Sequence, residues 1–221
     1  MAKLGLSSLA MTTPSAKAPA VGPDEDIRRS VVLRAARRAF MTQGFAATRM
    51  EPIAREAGVS TATLYLYFPS KVDLFAAVIE DAGRDFSRQM ECVRASPGPA
   101  RQQLTHFMTA YAGFMTDPFV RAVFRLVMAE RPRFRDTAMA FFERGRNDFG
   151  GPLIRALADL DRKGELSVAK PSWAAGQLMG MIEHPTFFMP MVTGDEIMAT
   201  RPIDQIVSDA VETFMARYAV D

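Results

Sequence analysis

"VSTATLYLYFPSK", Val59 to Lys71, sets two tyrosines two residues apart between a serine-threonine start and a proline-serine stop. The preceding "TRMEPIAREAG" (48–58) carries Ile53, Ala54 and Ala57 at helical spacing and ends on Gly58. Its "TRME" has capping-box spacing, Thr48 to Glu51, so Thr48 is expected to open that helix. Ser60 is suited to cap a second, short helix, whose Leu64 and Phe68, four apart, give it one buried face. Two helices joined by a tight Gly-containing turn form a helix-turn-helix unit, whose second helix enters the DNA major groove.

This reading accounts for the composition of the stretch. Thr61, Ala62 and Thr63 fall at the exposed start of the second helix, beside the capping Ser60. Their methyls suit thymine, and the hydroxyls suit bases or phosphates. Tyr65 and Tyr67 point in different directions, so each can send its hydroxyl to a different phosphate. Lys71 adds a point charge, and Ser70 caps the helix it begins. In isolation the tyrosines would be half-buried core aromatics and Lys71 a solvated surface charge. The constellation around them is what favours DNA.

Outward from this unit, almost every segment has a 3.6-residue period, which predicts an all-α chain of about nine helices. Helix one opens at Asp24, Glu25 and Asp26, turns Val32, Leu33, Ala35, Ala36 and Phe40 inward and Arg28, Arg29, Arg34, Arg37 and Arg38 outward, and stops at Gly44. Helix four carries Leu74, Phe75, Val78, Ile79, Ala82, Phe86, Met90 and Val93 as one stripe up to a break at "ASPGPA" (95–100). "DPF" (117–119) caps a sixth helix. A seventh runs from about Phe134 to Leu160, bent at "GGP" (150–152). An eighth reaches "EHP" (183–185), and a loop with Pro190, Gly194 and Pro202 leads to the ninth. Residues 1–24 read as a disordered tail, 25–71 as the helix-turn-helix DNA-binding domain, and 72–221 as a ligand-binding and dimerisation domain. The first 71 residues hold ten Lys and Arg against five Asp and Glu; the other 150 hold seventeen against twenty. A polyanion is therefore expected at the front.

"VLRAARRAFMTQGFAATRMEPIAREAGVSTATLYLYFPSKVDLFAAVIE" resembles the N-terminal domain of the TetR/AcrR family of bacterial transcriptional regulators. The likeness covers roughly residues 28–80, through Ala35-Ala36, Phe40, Gly44-Phe45, Ile53-Ala54, Ala57 to Ser60, Leu64-Tyr65, Tyr67-Phe68 and Lys71. "RLVMAERPRF" and "FFERG" resemble the AcrR-like regulatory domain. The resemblance implies a homodimer through the last two helices, a palindromic operator, a C-terminal ligand cavity and, by default, repression. It also implies phosphate contacts from Thr48, Tyr65, Tyr67 and Lys71, and base contacts from Thr61 and Ala62. The sequence departs in lacking Arg or Lys over 60–68, where bidentate guanine contact needs one; readout then leans on thymine methyls and DNA shape.

The C-terminal stripes are rich in Phe and Met, which pack cores and also adapt to varied apolar ligands. Phe86, Met108, Tyr111, Phe124, Met128, Phe142, Met179 and His184 are the candidates for an apolar or amphipathic effector site, with Glu183 and His184 as a polar spot. Ile203, Val207, Val211 and Phe214 form a face of the ninth helix richer than its own domain needs, which predicts a dimer interface. No cofactor is expected. Cys92, His106 and His184 are scattered without paired ligand spacing, so no metal site is expected. The single cysteine and the lack of an 18-residue apolar run suit a cytoplasmic protein rather than a membrane one. No catalytic motif appears. The expected function is a ligand-responsive transcriptional regulator; the alternatives are an all-helical enzyme and a protein-interaction module without specific DNA binding.

Overall fold

A computed structural model describes residues 23–91 and 97–220, and every regular element among them is helical. The elements are α1 (Pro23–Ala47), α2 (Met50–Glu56), α3 (Thr61–Tyr67), α4 (Lys71–Glu91), α5 (Ala100–Thr116), α6 (Pro118–Glu130), α7 (Arg135–Gly145), α8 (Gly151–Arg162), α9 (Pro171–Glu183), α10 (Met189–Thr193) and α11 (Ile203–Tyr218). Single π turns, Arg146–Gly150 and His184–Phe188, make α7–α8 and α9–α10 continuous, leaving nine helical runs among the described residues. The tail expected over 1–24, Cys92, Val93 and the start of the 95–100 break lie outside the described residues, apart from the first residues of α1; so does the side chain of Met90.

The helix termini follow local chemistry. Within α1, Gly44 leaves α-helical geometry at φ +73° and ψ 173°, a backbone that favours glycine, and the helix kinks there. Asp117 caps α6 by accepting from the Phe119 N–H at 2.7 Å, with Pro118 at the first helical position. Where a bend is expected at "GGP", the chain makes the first π turn: Pro152 has no N–H to give, and Gly151 donates five residues back to Arg146. The second π turn corrects the loop expected after "EHP" (183–185). Pro185 and Pro190 each sit in the first turn of a new helical segment, where a missing donor is tolerated, so the run continues to Thr193.

Thr48 is a second correction. It does not cap α2; Arg49 holds that position without a side-chain bond. Thr48 is buried, and its Oγ1 donates to the carbonyls of Gly44 (2.7 Å) and Ala39 (3.3 Å). Carbonyls freed around the kink at Gly44 need a donor, and the threonine supplies it.

The N-terminal head is α1–α3 closed by the start of α4. Its core is a ring cluster: Phe40, Phe45 and Phe75 have centroids 5.3–5.9 Å apart, and Phe134, from the α6–α7 connection, stacks on Phe75 at 4.6 Å. The α4 stripe is buried from Leu74 through Phe86, which ties the head to the body. Two carboxylates on α4, Asp81 and Asp85, take hydrogen bonds from Arg37 of α1 at 2.7 and 2.9 Å. Arg37 therefore does not face solvent, as expected of it; its guanidinium also lies over the Phe119 ring at 4.9 Å.

In the body, α11 packs on α5 and α9. Val207, Val211 and Phe214 are buried in that contact, with Ile206 and Ala210 beside them. This corrects the expected dimer face: the apolar stripe of α11 is consumed by its own domain, and Ile203 alone of the four is exposed. The end of α11 is held by the Ser167 N–H donating to the Tyr218 carbonyl at 2.7 Å and by an antiparallel bridge between Leu166 and Ala219.

Candidate nucleic-acid interface and effector domain

The turn between α2 and α3 is built by three backbone bonds. The Gly58 N–H donates to Arg55 (3.2 Å), that of Val59 to Ala54 (3.0 Å) and that of Ala57 to Ile53 (2.9 Å). With Gly58 at φ +67°, this is the paired-bond helix ending that glycine permits. Ser60 then caps α3: its Oγ accepts from the Thr63 N–H at 3.0 Å and lies 2.8 Å from the Thr63 hydroxyl. These two hydroxyls satisfy each other and the helix start.

Leu64 and Phe68 are buried against the head. That fixes the rotation of α3, leaving Thr61, Ala62, Tyr65 and Leu66 exposed and Thr63 and Tyr67 half-buried. Leu66, at 78% exposure, is the most open of the exposed large apolar side chains. It was not singled out from the sequence, although its position two residues from buried Leu64 was a sufficient signal. Exposed Arg49, ahead of α2, was missed too.

Lys71 differs from expectation. Its ammonium donates to the carbonyls of Phe45 (2.9 Å), Thr48 (2.9 Å) and Ala46 (3.2 Å), and it lies 4.5 Å above the Phe45 ring. All three protons are thereby placed on carbonyls that follow the break in α1 at Gly44. The lysine clamps the α1–α2 connection rather than standing free for a phosphate. Ser70 caps α4 as expected, accepting from the Asp73 N–H at 3.1 Å.

The effector candidates fall into groups. Phe86, Met108 and Tyr111 are buried. Rings connect Phe86 to Tyr111 through the body: Phe86 meets Phe114 (4.9 Å), Phe114 meets Phe149 (4.6 Å), and Phe149 meets Tyr111 (5.8 Å). Phe124 joins from the other side, 5.0 Å from Phe141 and 4.9 Å from Phe187. Met179 is half-buried. Met128 and Phe142 are exposed, at 61% and 62%, and do not face this interior. Each follows an inward residue, Val127 or Phe141, by one position, and so turns about 100° away. His184 is exposed, stacked 5.7 Å from Phe188, in an open groove of about 500 Å³ between the α9–α10 run and α11. A smaller groove, about 260 Å³, opens between α4 and α7 beside Ile79, Phe141 and Arg144.

Two polar features lie within the body. Tyr111 donates its hydroxyl proton to Glu183; burial first, and then the Glu183 carboxylate, push its ionisation far above the usual phenol range. Asp195 accepts from Arg125 and Arg121, each at 2.7 Å, and these bonds hold its carboxyl below the ordinary carboxylate value, led by the Arg125 hydrogen bond. No grouping of His, Cys, Asp and Glu among the described residues suits a metal ion, and no single described helix is long and apolar enough to cross a membrane.

A short helix exposed from a three-helix head, on an all-helical body, defines a helix-turn-helix transcriptional regulator. This chain belongs to the TetR family: residues 32–78 match the family described as bacterial regulatory proteins, tetR family, and residues 102–220 match the AefR-like transcriptional repressor C-terminal domain. It is 34% identical over 79 residues to the HTH-type transcriptional regulator EthR of Mycolicibacterium smegmatis (strain ATCC 700084 / mc(2)155). That match spans 34% of this chain and 36% of EthR, about a third of each. The fold is similar to a TetR-family regulator from Mesorhizobium loti MAFF303099, with TM-score 0.73 at 23% identity over 88% of this chain and 98% of that one. The flavonoid-responsive regulator FrrA aligns with TM-score 0.66 at 30% identity, again over 88% and 98%.

Proposed function

We propose that this TetR-family regulator binds a palindromic DNA operator as a homodimer and is released from it by an apolar or amphipathic small molecule. The domain division follows: a head over 25–71 reads DNA, and 72–221 binds the effector and dimerises. The observation that carries the reading is the rotation of α3, whose burial through Leu64 and Phe68 leaves Thr61, Ala62 and Tyr65 open to a groove. Thr61 and Ala62 meet bases, and Tyr65 and Tyr67 reach phosphates on opposite sides of the helix. Thr48, Ser60 and Lys71 serve by shaping the unit: Thr48 and Lys71 donate to carbonyls within it, and the Ser60 hydroxyl accepts from the Thr63 N–H.

The effector site lies along the ring chain Phe86–Phe114–Phe149–Tyr111, with the Tyr111–Glu183 pair as its polar end. FrrA is described as flavonoid-responsive, and an aromatic effector suits a wall of rings. The dimer forms through the exposed faces of α9 and α11, around Trp173, Gly176, Gly180 and Thr213, rather than through the buried stripe of α11. Selection from random-sequence duplexes tests the reading. A regulator enriches one palindrome; an enzyme or protein-interaction module enriches none, and that outcome would remove the proposal.

A further inference from the structure

α3 makes seven residues of helix, and its buried side is marked by Leu64 and Phe68. At about 100° per residue, Ala62 lies about 160° from Leu64 and Leu66 about 200° from it. These two residues therefore stand opposite the buried side, where a recognition helix presses on the floor of the groove. Tyr65, at about 100°, and Tyr67, at about 60° the other way, fall on opposite flanks. The floor-facing pair is apolar, and Leu66 is 78% exposed, so its side chain is free to meet the floor of a groove.

No Arg or Lys lies over 59–68, and no Asn, Gln, Asp or Glu either. The helix has no long side chain that forms a bidentate pair with guanine or adenine. One apolar group projects into the major groove from a base edge, and it is the C5-methyl of thymine. Resting on the proposal that α3 enters DNA, we propose that Leu66, flanked by Ala62, is the specificity-determining residue of this regulator and reads a pyrimidine 5-methyl group in each half-site. Thr61, nearer the buried side, sets the edge of the readout rather than its centre.

Burial of one methyl against Leu66 corresponds to about fourfold in affinity per half-site, and about fifteenfold when both half-sites change together. The test uses the full chain and the duplex it enriches from random sequence. Each thymine of that duplex is replaced in turn, symmetrically, by deoxyuridine, which removes the methyl and leaves the pairing edge intact. The wild-type protein should lose about fifteenfold at one symmetric position. Leu66→Ala should bind the thymine duplex more weakly and be indifferent to uracil at that position, whereas Thr61→Ala should keep the full uracil penalty. Placing 5-methylcytosine, paired with guanine, at the same position should bind wild type better than cytosine does. Circular dichroism of Leu66→Ala should match wild type, since the replaced side chain touches little of its own protein. If uracil is neutral everywhere, or if Leu66→Ala keeps the penalty, Leu66 does not read the methyl, and the regulator stands without it. If no duplex is enriched at all, the DNA-binding proposal falls and this inference with it.

Discussion

Lys71 decides between two roles for a single cation. A lysine on a phosphate contributes about 0.9 to the slope of log affinity against log salt. A lysine whose three protons rest on the carbonyls of Phe45, Ala46 and Thr48 contributes to folding instead. Lys71→Met is expected to lower the unfolding free energy in urea by about 1–3 kcal/mol, since hydrogen bonds to a charged donor are lost and carbonyls are stranded. At a temperature where the variant remains folded, the salt slope of operator binding should match wild type; a slope shallower by one unit would return the lysine to a phosphate. Gly58 is the other sensitive residue. A Cβ there meets nothing within 4 Å, so Gly58→Ala is strained only by φ +67° and is expected to cost about 1–2 kcal/mol, read as a lowered Tm. These two positions mark how much was legible in the residues. Gly58 and Ser60 announce the turn and cap by type alone, whereas the work of Thr48 and Lys71 depends on carbonyls brought near by the fold, and no spacing rule encodes that. Leu66 was legible, because two positions from a buried residue on a helix is nearly the opposite side.

Among the elements, α6 and the segment after α10 meet through one carboxylate. Arg121 is buried, its Nε on Asp195 and a terminal nitrogen on the Thr116 carbonyl at 2.6 Å, while Arg125 holds the other oxygen of Asp195. Asp195 adopts φ +68° directly after Gly194 at +65°, so the chain reverses to bring the carboxylate back over α6. Asp195→Asn keeps a residue that tolerates this backbone and removes the charge. It is expected to cost about 1–2 kcal/mol at neutral pH, less than a fully buried pair because Asp195 is a third exposed. The sign with pH follows from the lowered carboxyl value. The ion pair stabilises fully above the ordinary carboxylate range and fades as pH falls through the lower folded value. The Tm difference between wild type and variant should be flat near neutrality and close in acid; a difference that grew in acid would contradict the pair. Sequence periodicity located nearly all these elements, but it did not show that the α9–α10 run passes through two prolines. The π turn absorbs the missing donor where the next segment starts, and buried Thr186 within it donates to the Ile182 carbonyl.

In the proposed regulator, an effector in the body is joined to the spacing of two heads. Dimerisation comes first. Gly176 and Gly180 have no atoms within 4 Å of an added Cβ, so their face is open in one chain. Gly180→Arg is expected to leave the fold intact and shift the protein from a dimer to its 24.4 kDa monomer in sedimentation; an unchanged dimer would move the interface elsewhere. Within each subunit, the head is not hung on α4 alone. Arg37 binds Asp81 and Asp85 of α4 while lying over Phe119 of α6, and Phe134 completes the ring cluster around Phe45 and Phe75. Phe119 in turn lies 5.8 Å from Phe86, in the proposed effector wall. A molecule that displaces Phe86 therefore presses on the same contact that locks α1 to α4. It weakens DNA binding only by preferring the arrangement whose heads miss the spacing of about 34–36 Å, or its multiples, between grooves. The coupling expected is about 1–3 kcal/mol, and it must be reciprocal, with operator DNA weakening effector binding by the same factor. Arg37→Met keeps much of the packing on Phe119 and removes both ion pairs. It should leave effector affinity in free protein near wild type and shrink the coupling measured from both directions by calorimetry at fixed salt. A variant that retains the full reciprocal factor would show that the signal reaches the heads by another route.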